Sequence, residues 1–152
     1  MIAAAGLSEK IGDSVGLQGA FGYLARTAAS LGDWDRALVI SEISLNLGKQ
    51  AGDLFGQTIT LELQVQVLLQ QQCIVAAMGA ALCHRDLSLA INDLVRAKTF
   101  ESLLADVEKQ VTPEDWASMV KQKEQFRLKA IAEAQQRLEA AGQDPLKLPD
   151  PK

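Results

Sequence analysis

Proline is confined almost wholly to one end of this chain: of four, three (Pro145, Pro149 and Pro151) lie in the last eight of 152 residues. A proline inside a helix costs about 3 kcal/mol relative to alanine, so the stretch before that tail is free to be helical, with Pro113 its single exception. Its composition agrees, being rich in Ala, Leu, Gln, Glu, Lys and Arg. The breaks are Gly-Asp pairs at Gly12-Asp13, Gly32-Asp33 and Gly52-Asp53, each twenty residues after the last. Glycine can end one helix and aspartate can cap the next. Twenty residues hold one helix of about 16 and a short turn, so two such units make a helical hairpin with a period of forty.

This frame predicts helices over 2–11, 14–31, 33–49, 53–70, 72–84, 86–98 and 100–110. Thr112-Pro113-Glu114-Asp115 marks a further start, with Thr112 as cap, Pro113 at the first helical position and two acids facing the positive end of the dipole. That last helix should run to about Ala141 before Gly142 stops it. Its Trp116, Met119 and Phe126 stripe is expected over the preceding hairpin and its charged face in water. The expected organisation is a helical-hairpin array over 1–111, a long C-terminal capping helix over 112–142 and an extended or disordered tail over 143–152. Helix 100–110 could also pair with the last helix as a separate hairpin.

One segment points the other way. Residues 59–67, ITLELQVQV, alternate apolar and polar side chains, which is a strand pattern. A lone strand among helices has no pairing partner, whereas a helix between two others can be apolar on both sides, so a helix is expected here.

Charge and composition exclude several functional classes. The chain carries 15 Lys and Arg against 19 Asp and Glu, a formal net charge of −4, with 48% hydrophobic residues. Such a chain is not of the disordered kind, and its pI near 5.0 disfavours nucleic acid or an anionic membrane as the main partner. There is no run of 18 apolar residues, and Glu9 and Lys10 interrupt the start before a signal-peptide core can form, so a cytoplasmic protein is expected. Cys73, Cys83 and His84 are the only soft metal ligands and fit no four-ligand spacing, so no metal and no cofactor is expected. The cysteines read as small apolar residues in helices, and His84 as a helix C-terminal residue near the last carbonyls. Cys83 and His84 are adjacent and point about 100° apart on a helix, which suits no nucleophile–base pair, and an enzyme is not expected. Gly12, Gly16, Gly19 and Gly22 match no phosphate-loop motif and read as sites of close helix packing. Gln70-Gln71-Gln72 reads as a polar helix junction.

Residues 31–38, LGDWDRAL, resemble the turn and second-helix start of a tetratricopeptide repeat. Phe21, Leu24 and Ala25, then Gly32-Asp33-Trp34, then Ala37 and Ser44 occupy the places that mark that family's unit. Small residues at Ala25 and Ala37 let two helices approach, while Phe21 and Leu24 fill the gap. Ala28 replaces the tyrosine that the family favours. A second match, Arg85 to Ile91 with Ala97, lies off the forty-residue period. Either 53–84 is one long bent helix before that turn, or it is a hairpin of its own and the later match is chance. The repeat of Gly12-Asp13 and Gly16 at Gly52-Asp53 and Gly56 favours the hairpin. Ala3 to Ile11 resembles the second helix of a repeat whose first is missing, as in a piece of a longer array.

The resemblance implies an all-α fold: antiparallel helical hairpins stacked as a short solenoid, with a concave surface formed by the first helices. It implies a scaffold that binds a partner peptide or helix there. The groove-facing positions carried over are Gly19, Gly22, Arg26 and Ser30 and, forty residues on, Glu62, Gln66 and Gln70. Arg26, with its guanidinium fork, is the residue expected to hold a carboxylate. Two other roles fit such a chain: a ligand- or peptide-responsive regulatory domain, and a self-assembly domain.

Overall fold

The computed structural model describes residues 14–148. Over these residues the protein is all-helical, with no strand. Four long helices come first: α1 (Ser14–Ser30), α2 (Trp34–Ala51), α3 (Leu54–Gln70) and α4 (Ile74–Ala90). A single helical turn, α5 (Leu94–Ala97), leads to α6 (Glu101–Lys109), α7 (Pro113–Lys121) and α8 (Lys123–Ala140). Residues 59–67 lie within α3, so the alternating segment is helical. The expected helix over 2–11, the Gly12-Asp13 pair and the end of the tail lie outside the described residues.

The twenty-residue rhythm runs further than the glycines suggest. Gly32, Gly52, Gln72 and Asn92 all adopt the left-handed conformation, with φ of 74°, 69°, 59° and 58°. After each, the next residue's N–H reaches back five residues: Asp33 to Ala28, Asp53 to Gly48, Cys73 to Leu68 and Asp93 to Ser88, at 2.8–2.9 Å. This is the Schellman closure, which satisfies carbonyls that a helix end leaves bare. The carboxylates of Asp33, Asp53 and Asp93 then accept from the backbone N–H of Arg36, Gly56 and Arg96 and cap the following helices. Cys73 takes the same position without a side-chain bond.

Two expected boundaries move. The turn expected at Arg85-Asp86 does not exist, because both residues lie within α4, and the break falls at Asn92-Asp93. Residues 85–91 therefore do not form the turn that their resemblance implied, and α3 and α4 form the hairpin. The last helix divides at Gln122 into α7 and α8, although its start is as expected: Thr112 accepts from Asp115 N–H at 3.1 Å, with Pro113 next.

Consecutive long helices pack on each other, α1 on α2, α2 on α3 and α3 on α4, and α1 also touches α3. Ala28, Ala37, Leu38, Val65, Leu68, Met78 and Leu82 are fully buried at the centre. The final helix, α8, lies against both α2 and α4. It buries Ala130, Ile131, Ala134 and Leu138 there, and burying the isoleucine and leucine contributes roughly 1.5–3 kcal/mol each. Gly79 permits the approach, since a methyl group on it would overlap the Lys123 carbonyl. Trp116 and Met119 of α7 and Phe126 of α8 pack, partly buried, on the core. The described part of the tail, 143–148, has no regular structure but is tied down: Arg36 donates to the Gln143 side chain and the Asp144 carbonyl, each at 3.2 Å.

Candidate functional site

A cleft of about 160 Å³ opens between α1 and α3. Ala25, Ile59 and Leu63 give it apolar walls, Gly22 leaves room beside them, and Arg26 and Gln66 stand exposed at its rim. Two helices carry these residues at spacings of three and four, which bring one face of each to the same side. Four expected groove positions, Gly22, Arg26, Glu62 and Gln66, line this cleft together. Gly19, Ser30 and Gln70 are exposed but do not line it. Ser30 instead donates its hydroxyl to the Arg26 carbonyl at 3.0 Å. A methyl group added to Gly19 would meet nothing within 4 Å and one on Gly22 would make ordinary contact with Ser44, so close packing does not explain these two glycines.

Arg26 has no carboxylate partner among the described residues, whereas Arg36, Arg96, Arg127 and Arg137 each hold one. Its guanidinium is free to take an anion. Glu62 is differently placed. One of its oxygens receives Arg96 at 3.0 Å and lies 3.2 Å from His84 Nε2, so its charge is already engaged. Arg96 in turn lies 5.1 Å over the Phe55 ring, a cation–π contact. His84 sits against the edge of Phe100 at 4.9 Å. The expected helix-end role of His84 is therefore corrected: it is buried within α4 and joins that helix to Glu62 of α3 and to Phe100, the N-cap residue of α6. Burial pushes its pKa below 6.5, against the opposing pull of Glu62.

A second polar cluster pins α8: Lys129, Glu133, Arg137 and Glu139 are exposed, as expected of a charged face in water, but one arginine of the helix is turned inward. Arg127 is wholly buried. It pairs with Glu42 of α2 and Glu124 of its own helix, and donates to the Gln64 side chain of α3 at 3.0 Å. Gln64 donates onward to Ser41 at 3.0 Å and Glu42 at 3.1 Å. Cys83 donates its thiol to Glu124 at 3.1 Å, and burial with this carboxylate pushes the thiol up to about 12. The neutral thiol is a poor nucleophile. Burial raises Glu124, but Arg127 outweighs it and leaves its pKa below 4.5. At the exposed end of α8, Arg137 forks onto Asp35 at 2.9 and 3.0 Å.

Among the described residues no cluster of three His, Cys, Asp or Glu is placed to hold a metal ion, and no helix is long and apolar enough to cross a membrane. Comparison with family models, curated proteins and solved structures returns no match.

Proposed function

We propose that the protein is a helical-repeat interaction module of the tetratricopeptide type, which takes a peptide or helix of a protein partner across the cleft between α1 and α3. In this reading α1–α2 and α3–α4 are two stacked antiparallel hairpins, α1 and α3 are their first helices, and α8 is the cap. The forty-residue recurrence of the same closing turn at Gly32 and Gln72, and at Gly52 and Asn92, supports it. The observation that carries the reading is the cleft itself: Gly22 and Arg26 on one first helix and Glu62 and Gln66 on the other share it, and Arg26 has no ion pair among the described residues. A rigid helical surface lowers the ordering cost of binding an extended segment.

The test is a displayed peptide library panned on the wild type and on an Arg26→Glu, Gln66→Lys double variant whose circular dichroism matches it. Selected peptides should bind the wild type at least tenfold better. Equal binding by both proteins overturns the cleft as the binding surface. A stable oligomer in sedimentation, with no peptide selected, would replace the reading by self-assembly.

A further inference from the structure

We propose that a second cleft, beside Trp116, binds a small amphipathic monoanion, with an apolar ring or chain for its body and a single carboxylate or sulfonate for its head. The cleft measures about 420 Å³, within the range of small-molecule sites. Leu89 of α4, Leu94 of α5, Leu104 of α6 and Trp116 of α7 form its apolar walls. Leu89 and Leu94 are 52% and 59% exposed, and covering them recovers roughly 25 cal/mol per Å² of apolar surface.

This cleft opens where the helical rhythm stops. Forty residues before Ala97, Lys98 and Glu101 stand Gln57, Thr58 and Leu61, all buried in α3. The chain after Asp93 starts in the same way, with the same turn and cap, but α5 ends after one turn and Phe100 turns in against His84. Ala97, Lys98 and Glu101 therefore line an opening instead of a packed interface.

Charge selects the occupant. Of the six arginines, four hold carboxylates, and the other two, Arg26 and Arg85, each line a cleft. Arg85 shares this one with Lys98, and neither has an ion pair among the described residues. These two cations lie along the α4 and α5 side. The α6 wall carries Glu101 and Glu108, which have no ion pair among the described residues and which admit one negative charge near Arg85 and repel a second. A monoanion with an apolar body satisfies both walls. A guanidinium so placed can hold its head bidentately.

The experiment uses the full chain, with anilinonaphthalene sulfonate as a fluorescent monoanion and octanoate, octanol and suberate as competitors. Octanoate should displace the dye at least fivefold better than octanol or the dianion suberate. Arg85→Gln should weaken octanoate about tenfold and leave octanol unchanged. Ala105→Trp, which fills the cleft from the exposed face of α6, should abolish dye binding. Leu94→Ser, at a residue already largely in solvent, should weaken the dye without touching the fold. Equal competition by octanoate and octanol, failure of octanoate to displace the dye, or dye binding unchanged in both Ala105→Trp and Leu94→Ser would overturn the proposal. Because Arg26 and the α1–α3 cleft are untouched, neither result bears on the peptide-binding reading.

Discussion

Gln72 and Asn92 stand twenty residues apart and share one backbone conformation, φ 59° and 58°, at the same place in two helix-closing turns. Only glycine adopts it without crowding its own Cβ, although asparagine tolerates it. Gln72→Gly should therefore stabilise the protein by about 1 kcal/mol, the strain relieved exceeding the backbone entropy lost. Asn92→Gly should change stability by less, about 0.5 kcal/mol. Urea unfolding of the two variants measures the difference, and an Asn92→Gly gain larger than that of Gln72→Gly would contradict it.

Arg127 should be the most sensitive charge in the chain. Arg127→Ala strands Glu42 and Gln64 in the interior and should cost about 3–5 kcal/mol. Replacing the pair together, by Arg127→Met with Glu42→Leu, should recover most of that loss. The half-exposed Arg137 makes a useful contrast, since Arg137→Ala should cost about 0–1 kcal/mol. Denaturant midpoints read all three, and equal losses for the two alanine variants would be incompatible with a buried anchor.

The single histidine makes pH dependence readable. Burial lowers the pKa of His84 from 6.5, so between 6.5 and that lower value the unfolded chain binds more protons than the folded one. Stability should be full above 6.5 and fall as pH drops through the lowered value. Glu124 and Asp35, held below 4.5 and 3.8 in spite of their burial, add a second fall as pH passes through their lowered values. Urea unfolding from pH 8 to 3, with the imidazole followed by NMR, should give both slopes, and His84→Gln should remove the upper one. A gain in stability between pH 6.5 and 5.5 would refute this account.

Two glycines should respond oppositely to alanine. Gly79→Ala drives a methyl group into the Lys123 carbonyl, and such overpacking should cost about 1–3 kcal/mol. Gly19→Ala meets open space inside α1 and should stabilise by about 0.5–1 kcal/mol through helix propensity. Thermal denaturation of both variants checks the sign, and destabilisation by Gly19→Ala would show that the glycine face is occupied.

The first three described helices were readable because their signals are local. Gly32-Asp33 and Gly52-Asp53 carry both the left-handed residue and the cap, and Thr112-Pro113 starts α7 for equally local reasons. Asn92-Asp93 carries the same information in a less familiar form, with asparagine in the place of glycine, whereas Arg85-Asp86, which resembles such a turn, lies inside a helix. At Gln72-Cys73 neither a glycine nor a capping aspartate is present, and the polar run Gln70-Gln71-Gln72 is the one local mark of the junction found there. Arg127 was illegible for a different reason. Its partners Glu42 and Gln64 lie 85 and 63 residues away, and nothing in a helix of mixed charges marks the one arginine that points inward. The lining of the α1–α3 cleft is legible in part. The resemblance, with a forty-residue shift, implies that Gly22, Arg26, Glu62 and Gln66 share a face, but only the folded chain places Glu62 under the hold of His84 and Arg96.

The position of α8 changes how the whole molecule should come apart. Helical arrays joined only through neighbours can fray one unit at a time. Here one helix near the end of the chain grips α2 and α4 alike and sends Arg127 across to Gln64 on α3. Neither the α1–α2 pair nor the α3–α4 pair can loosen without breaking that grip, so the described helices should melt as a single unit rather than one after another.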